Sequence, residues 1–200
     1  MKYEAQNFDS LLGLEGFSDA ALKLHFGLYQ GYVANTNKLA DALAALRAQG
    51  KNTEPEYAEL ERRFGWEFDG MRLHEYYFAS MSKTPAAIDQ ALRLKAALEK
   101  EFGSVEAWEK DFRSVAAMRG IGWGILYYDP TASRLFNVWV NEHNNGHLAG
   151  GVPLLPIDVF EHAFVVDYGA KRADYIAAFT KAIDWAVIEK RFVQAEGEKK

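Results

Sequence analysis

The stretch Gly120-Ile-Gly-Trp-Gly-Ile-Leu-Tyr-Tyr-Asp129-Pro-Thr-Ala-Ser-Arg134-Leu-Phe-Asn-Val-Trp-Val140 is where the chain changes period. Ile121 to Tyr128 and Arg134 to Val140 are rich in aromatic and β-branched residues, which fit a pleated surface, and Asp129 to Ser133 between them is turn-forming. The segment therefore reads as a β-hairpin with a loop longer than two residues. An Asn- and Gly-rich loop follows from Asn141 to Gly151, and Val152 to Ile157 reads as a third strand. Pro153 and Pro156 remove two ladder donors, so this strand is expected to be short or at an edge.

Upstream the period is helical. From Ser18 to about Ala48 the residues Leu22, His25, Tyr29, Tyr32, Val33, Leu39, Leu43 and Leu46 recur at three- and four-residue steps, with Ser18 placed to cap and Gly50 to stop. Pro55 opens a second run through Tyr57, Leu60, Phe64, Phe68 and Met71 to Phe78. Two long helices joined by a short polar turn pack antiparallel. Pro85 marks a boundary, because the residue before a proline is pushed out of helix; an amphipathic stretch then runs to Phe102 and Gly103. Ser104 is placed to cap another helix through Trp108, Phe112, Val115 and Met118. After Asp158 the chain turns helical again, most clearly from Ala173 to Arg191. The expected class is α+β: a long antiparallel helical hairpin over residues 1–84, then an α/β domain over 85–200 with a three-stranded antiparallel sheet.

With 200 residues, 49% apolar and 14% aromatic, the chain can bury a sizeable core. The net charge of −5 gives no electrostatic reason to expect nucleic acid or an anionic membrane as partner. Cysteine is absent, which excludes disulfides and thiolate ligation, so any metal must be held by nitrogen and oxygen. No stretch reaches the roughly 20 apolar residues of a membrane span. No apolar signal follows Met1 either, and a soluble cytoplasmic protein is expected.

Four side chains stand out against this background: His25 and His74, one in each long helical run, and Asp158 with His162 four residues on. Each alone has a plain explanation, as a hydrogen-bonded core imidazole or a helix-capping carboxylate. Together, three imidazole nitrogens and one carboxylate make a shell suited to a redox-capable first-row metal.

Their neighbourhoods decide between these readings. His25 lies in His-Phe-Gly-Leu-Tyr-Gln-Gly-Tyr-Val, His74 in His-Glu-Tyr-Tyr-Phe, and the last pair in Asp158-Val-Phe-Glu-His162-Ala-Phe, with Gly120-Ile-Gly-Trp123 upstream. In these motifs and in the order of its elements, nearly the whole chain resembles the iron/manganese superoxide dismutase family. The resemblance implies one iron ion per chain, with manganese as the alternative, held by His25, His74, Asp158 and His162. His25 would lie opposite a bound solvent. It implies superoxide as substrate, oxygen and hydrogen peroxide as products, and Tyr32 as gateway. It also implies aromatic walls at Tyr77 and Trp123, and a homodimer or higher oligomer joined through Glu161 and His162, with Arg172 nearby.

Three departures from the family pattern bear on the site. One residue fewer than usual separates His25 from Tyr32, so a regular α-helix would return Tyr32 to the His25 face at i+7, and Tyr29 at i+4 competes for the role. The usual funnel histidine is replaced by Leu28 or Tyr29, and the tyrosine that meets it across the dimer is Val165. Gly70 stands where many iron members carry a solvent-binding glutamine; many manganese members carry one in the sheet's loop, and the resemblance places His143 at that position, where some members have a histidine, so His143 is the candidate donor and His147 is expected at the surface. The net charge opposes an anionic substrate at long range, so a local positive funnel is expected, with Arg72 and Arg172 as its candidates. Two other functions fit the same ligands: a metal-binding dimeric protein of this fold with little dismutase activity, and a mononuclear iron oxygenase. The third histidine occupies a position that oxygenase chemistry keeps open.

Overall fold

Ser18 starts the first helix by accepting a hydrogen bond from the Ala21 N–H on its Oγ, and α1 then runs unbroken over Asp19–Ala48. The computed structural model describes residues 2–197. A turn with Gly50 at φ +70° leads into α2, Pro55–Ala79, whose proline occupies the first turn, where no intrahelical N–H bond is lost. The two helices pair through an aromatic seam in which the rings of Phe26 and Tyr29 meet Phe78 edge-on at 5.0 and 6.1 Å.

Residues after α2 depart from the expected pattern. No helix forms from Pro85 to Ala91 beyond one 3-10 turn at Ile88–Gln90, and α3 spans only Leu92–Phe102. The backbone here bonds to a distant segment instead. Ser82 N–H donates to Ala182 O, Asp184 N–H to Ser80 O and Trp185 N–H to Ala86 O, while Met81 bridges Ile183. The same bonds divide the expected helix over 173–191 into α6, Arg172–Ala182, and α7, Trp185–Gly197. Between α3 and the sheet, α4 covers Val105–Ala116, capped by Ser104 Oγ on the Ala107 N–H.

The sheet is antiparallel in the order β2-β1-β3, with β1 Gly122–Asp129, β2 Arg134–Asn141 and β3 Val152–Asp158. Its central strand β1 is buried almost throughout, and the proline-bearing β3 is an edge strand. Gly122, at φ +153°, allows the corner where β1 begins, because a Cβ there would lie 2.1 Å from Val140 O. Its carbonyl accepts the Val159 N–H at 2.9 Å, which fixes the chain just after β3. The short helix α5, Glu161–Tyr168, follows and lies against α1, while α2 lies on β3. The end of β3, the start of α5 and the middles of α1 and α2 therefore converge. No helix among the described residues is long and apolar enough to cross a membrane.

Candidate metal centre

Asp158 is the last residue of β3, and its surroundings hold it rigidly. Oδ1 accepts the Phe160 N–H at 2.8 Å, and the backbone carbonyl accepts the Tyr175 hydroxyl at 2.6 Å. Tyr175 is in turn 3.0 Å from the Tyr77 hydroxyl. These bonds use up Oδ1 and leave Oδ2 facing three imidazoles: His25 Nε2 at 3.1 Å, His162 Nε2 at 3.2 Å and His74 Nε2 at 3.4 Å. One ligand atom from each of His25, His74, Asp158 and His162 lies within 4.8 Å of all the others.

His74 reveals what such a cluster requires. Its Nδ1 lies 2.6 Å from Gly70 O, and a carbonyl only accepts, so the ring hydrogen is on Nδ1 and Nε2 carries a lone pair. That Nε2 is fully buried with no hydrogen-bond partner among the described residues. A lone pair aimed at an anionic oxygen 3.4 Å away is repulsive unless a cation lies between them. Donors at 2.0–2.2 Å from one ion stand roughly 2.8–3.8 Å apart as neighbours, which matches the three distances from the imidazoles to Asp158 Oδ2. The residues present fit a nitrogen- and oxygen-ligated first-row ion.

The electrostatics agree. Burial holds His25 below its ordinary pKa and His74 well below, so both rings are neutral and able to ligate. Burial pushes Asp158 up, but the His162 and His25 contacts outweigh it and hold the carboxyl well below its usual range. For His162 burial is the largest single influence and pulls it down, but the charge of Asp158 and the hydrogen bond to it together outweigh burial and raise the ring's pKa.

A second layer surrounds these four groups. Because α1 is a regular α-helix, Tyr32 returns to the His25 side, where its ring packs 5.1 Å from His74 and 4.8 Å from His143. Tyr32 also covers Gly70, where a Cβ would meet the Tyr32 ring at 2.8 Å, so neither Ala nor Gln fits there without moving it. His143 projects from the β2–β3 loop and is fully buried. Trp123 Nε1–H, which can only donate, reaches its Nδ1 at 3.0 Å, while Nε2 lies 2.9 Å from Tyr32 Oη. Burial lowers the His143 pKa to about 4, so the ring is neutral and its one hydrogen, on Nε2, is donated to Tyr32. Tyr32's own proton has no acceptor among the described residues, and burial raises that phenol's pKa and keeps it protonated. Tyr29 is directed away from the cluster: it donates to Glu75 Oε1 at 3.0 Å and accepts the Gln6 N–H at 2.9 Å.

Two expectations need correction. His147 is not a surface residue but half-buried, bonded to Tyr127 and to the His143 carbonyl. Arg72 is not a free positive charge, since Glu75 Oε2 takes its guanidinium at 2.6 Å. Arg172 donates to Met118 O and Gly120 O and pairs with no carboxylate among the described residues. Glu161 is exposed at the start of α5. The sequence reading missed Tyr175, the Phe160 N–H and the Gly70 carbonyl. Only Tyr175 had a visible signal, an aromatic on the inner face of α6.

Comparison with known proteins agrees with this geometry. The model of the iron/manganese superoxide dismutase C-terminal domain matches residues 90–191. The chain is 38% identical over 188 residues to the iron superoxide dismutase of Aquifex pyrophilus, covering 91% of this chain and 87% of that protein. It is 37% identical over 187 residues to that of Cupriavidus metallidurans, covering 91% of each. With manganese superoxide dismutase 2 of Haloferax volcanii the identity is 35% over 168 residues, covering 84% of this chain and 82% of the other. A match over half the chain, and relatives aligned along most of it, establish that the chain belongs to the iron/manganese superoxide dismutase family.

Proposed function

We propose that this protein removes superoxide, converting two superoxide ions and two protons to oxygen and hydrogen peroxide. In this reading His25, His74, Asp158 and His162 hold one iron ion per chain, with manganese as the second candidate. The ligands come half from residues 1–84 and half from 85–200. The observation that carries the reading is the buried, unpartnered His74 Nε2 aimed with two further imidazoles at one oxygen of Asp158. When bound, such an ion supplies one-electron redox chemistry, oxidising one superoxide and reducing the next.

The remaining work falls to the protein. Asp158, pinned through Oδ1 and its carbonyl, presents Oδ2 without reorientation. Phe78, Trp123, Tyr77 and Phe160 wall the cluster and exclude water, which strengthens the local electrostatics. Tyr32 and His143 act as the catalytic pair. His143 fixes the Tyr32 oxygen through its Nε2–H, leaving the phenol proton available for transfer to reduced substrate. Glu161 and His162 join two copies of the chain. The exposed Leu24 and Leu28 on α1 and Val165 and Val166 on α5, the helix that lies against it, support that interface. A cytoplasmic location follows the same reading.

The test is metal analysis of the purified protein beside a superoxide-removal assay. About one iron or manganese per chain is expected, with cyanide-resistant activity that His74→Ala and Asp158→Ala both abolish. Full activity in a metal-free preparation would overturn the proposal.

A further inference from the structure

His143 stands on a loop with no helix or ladder of its own, so something else must hold its ring against Tyr32 and Trp123. Asn141 and Asn145 close the loop's turn by exchanging backbone bonds at 2.7 and 3.2 Å, with Glu142 in the left-handed region at φ +51°. Inside the turn the Glu142 N–H donates to Ile121 O at 3.0 Å and the Glu142 carboxylate accepts from Trp66 Nε1–H at 2.8 Å, but the His143 carbonyl has no backbone donor among the described residues. The His147 side chain supplies a donor: its Nε2 lies 2.8 Å from His143 O. A carbonyl only accepts, so the hydrogen is on Nε2, and the lone pair on Nδ1 faces the Tyr127 hydroxyl at 2.5 Å. Tyr127 is 1% exposed in the central strand β1, and Asp69 of α2 approaches the same Nε2 at 3.6 Å. The imidazole thus ties the loop to the most rigid strand of the sheet and brings it beside a helix.

We infer that His147 is a positioning residue for His143, transmitting the placement of Tyr127 in β1 through the His143 carbonyl to the ring that meets Trp123 and Tyr32. The kinetic consequence rests on the dismutase reading, whereas the structural one does not. A group held about 1 Å too loosely is a common way for a site to lose its activity while remaining assembled.

The experiment uses the full-length chain loaded with zinc, a redox-silent ion, and reads the Trp123 indole N–H by NMR, since that proton is donated to His143 Nδ1. His147→Leu is expected to speed its exchange with solvent by about tenfold. His147→Gln, whose amide nitrogen can stand where Nε2 stood, should keep exchange within about twofold of the original. With the redox-active ion, His147→Leu should lower kcat about tenfold at unchanged metal content and shift the pH profile, while His147→Gln restores both. In a His143→Ala background, His147→Leu should add nothing further, because its effect runs through the residue already removed. If His147→Leu does not fold, Tyr127→Phe removes the other end of the link and should move the indole exchange in the same direction. Unchanged indole exchange, equal losses in the Leu and Gln variants, or an undiminished effect in the His143→Ala background would overturn the inference. Absence of superoxide turnover in the unmodified protein strikes the dismutase reading alone, because the zinc measurement needs no turnover.

Discussion

Asp158 divides its two oxygens between different duties, and the consequences can be followed atom by atom. Tyr175 holds its carbonyl and is itself backed by Tyr77, so Tyr175→Phe removes two buried hydrogen bonds at once. We expect a loss of about 1–3 kcal/mol, read from the denaturant midpoint, together with faster release of metal to a chelator. Tyr32→Phe should leave metal content intact and slow the proton-linked half of turnover by about 100-fold, the lower end of what one positioned proton donor contributes. If Tyr29→Phe has that effect instead, the gateway has been assigned to the wrong tyrosine. His143→Gln replaces a ring that has one donor with an amide that has two, and is expected to change the ratio of iron- to manganese-supported activity. Acid should weaken the chelated protein. His25, His74 and His143 all have folded pKa values below their ordinary 6.5, so the unfolded chain binds more protons between the two values. Their stabilisation is complete above about pH 6.5 and is lost as pH falls through the folded values. His162, raised, works in the opposite sense but is one ring against three. The urea midpoint of chelated protein should therefore drop on going from pH 7 to 5, and a flat profile would contradict the burial of these rings.

At the scale of elements, α1 explains how Tyr32 keeps its place beside His74 and His143 with one fewer residue after His25. The helix runs from Asp19 to Ala48 without a π-bulge, and Tyr32 lies over the bare backbone of Gly70 on α2. Gly70→Ala gains helix propensity of up to about 1 kcal/mol but drives a methyl into that ring. Metal should be retained while activity falls, with the Tyr32 to His143 contact lengthened in a crystal structure of the variant. The hairpin and the strands were legible because period and caps are local properties, Ser18, Pro55 and Ser104 each acting within one turn, whereas the four clustered groups were joined by the family resemblance of their neighbouring motifs, since only the Asp158 to His162 step is local. What escaped was tertiary. Ile176, Phe179, Ile183 and Ile188 keep an apolar pattern across the break between α6 and α7, and the helix is interrupted there by backbone bonds to residues 80–86 together with the bridge from Met81 to Ile183. His147 gave no local sign of burial, since its partners are a carbonyl four residues back and a tyrosine on another strand.

For the whole molecule, the acidic surplus and an anionic substrate set a measurable contest. A chain of net charge −5 alone would be helped by added salt, whereas a local positive field at the entrance would be hindered by it. With Arg72 neutralised by Glu75, Arg172 is the remaining candidate, and kcat/KM should fall with ionic strength in the parent protein and lose that dependence in Arg172→Gln. The four converging groups have a further consequence for how the protein acquires its ion. His25 and Asp158 are 133 positions apart, and both are sealed from solvent. Synthesis must pass His162 in α5 before the set of donors is complete, and with three of the four groups buried an ion held there should exchange slowly while the hairpin and sheet stay packed. The choice between competing ions is thus made at the moment of closure and kept afterwards, so cargo should record the medium in which the chain matured rather than the buffer in which it is later stored.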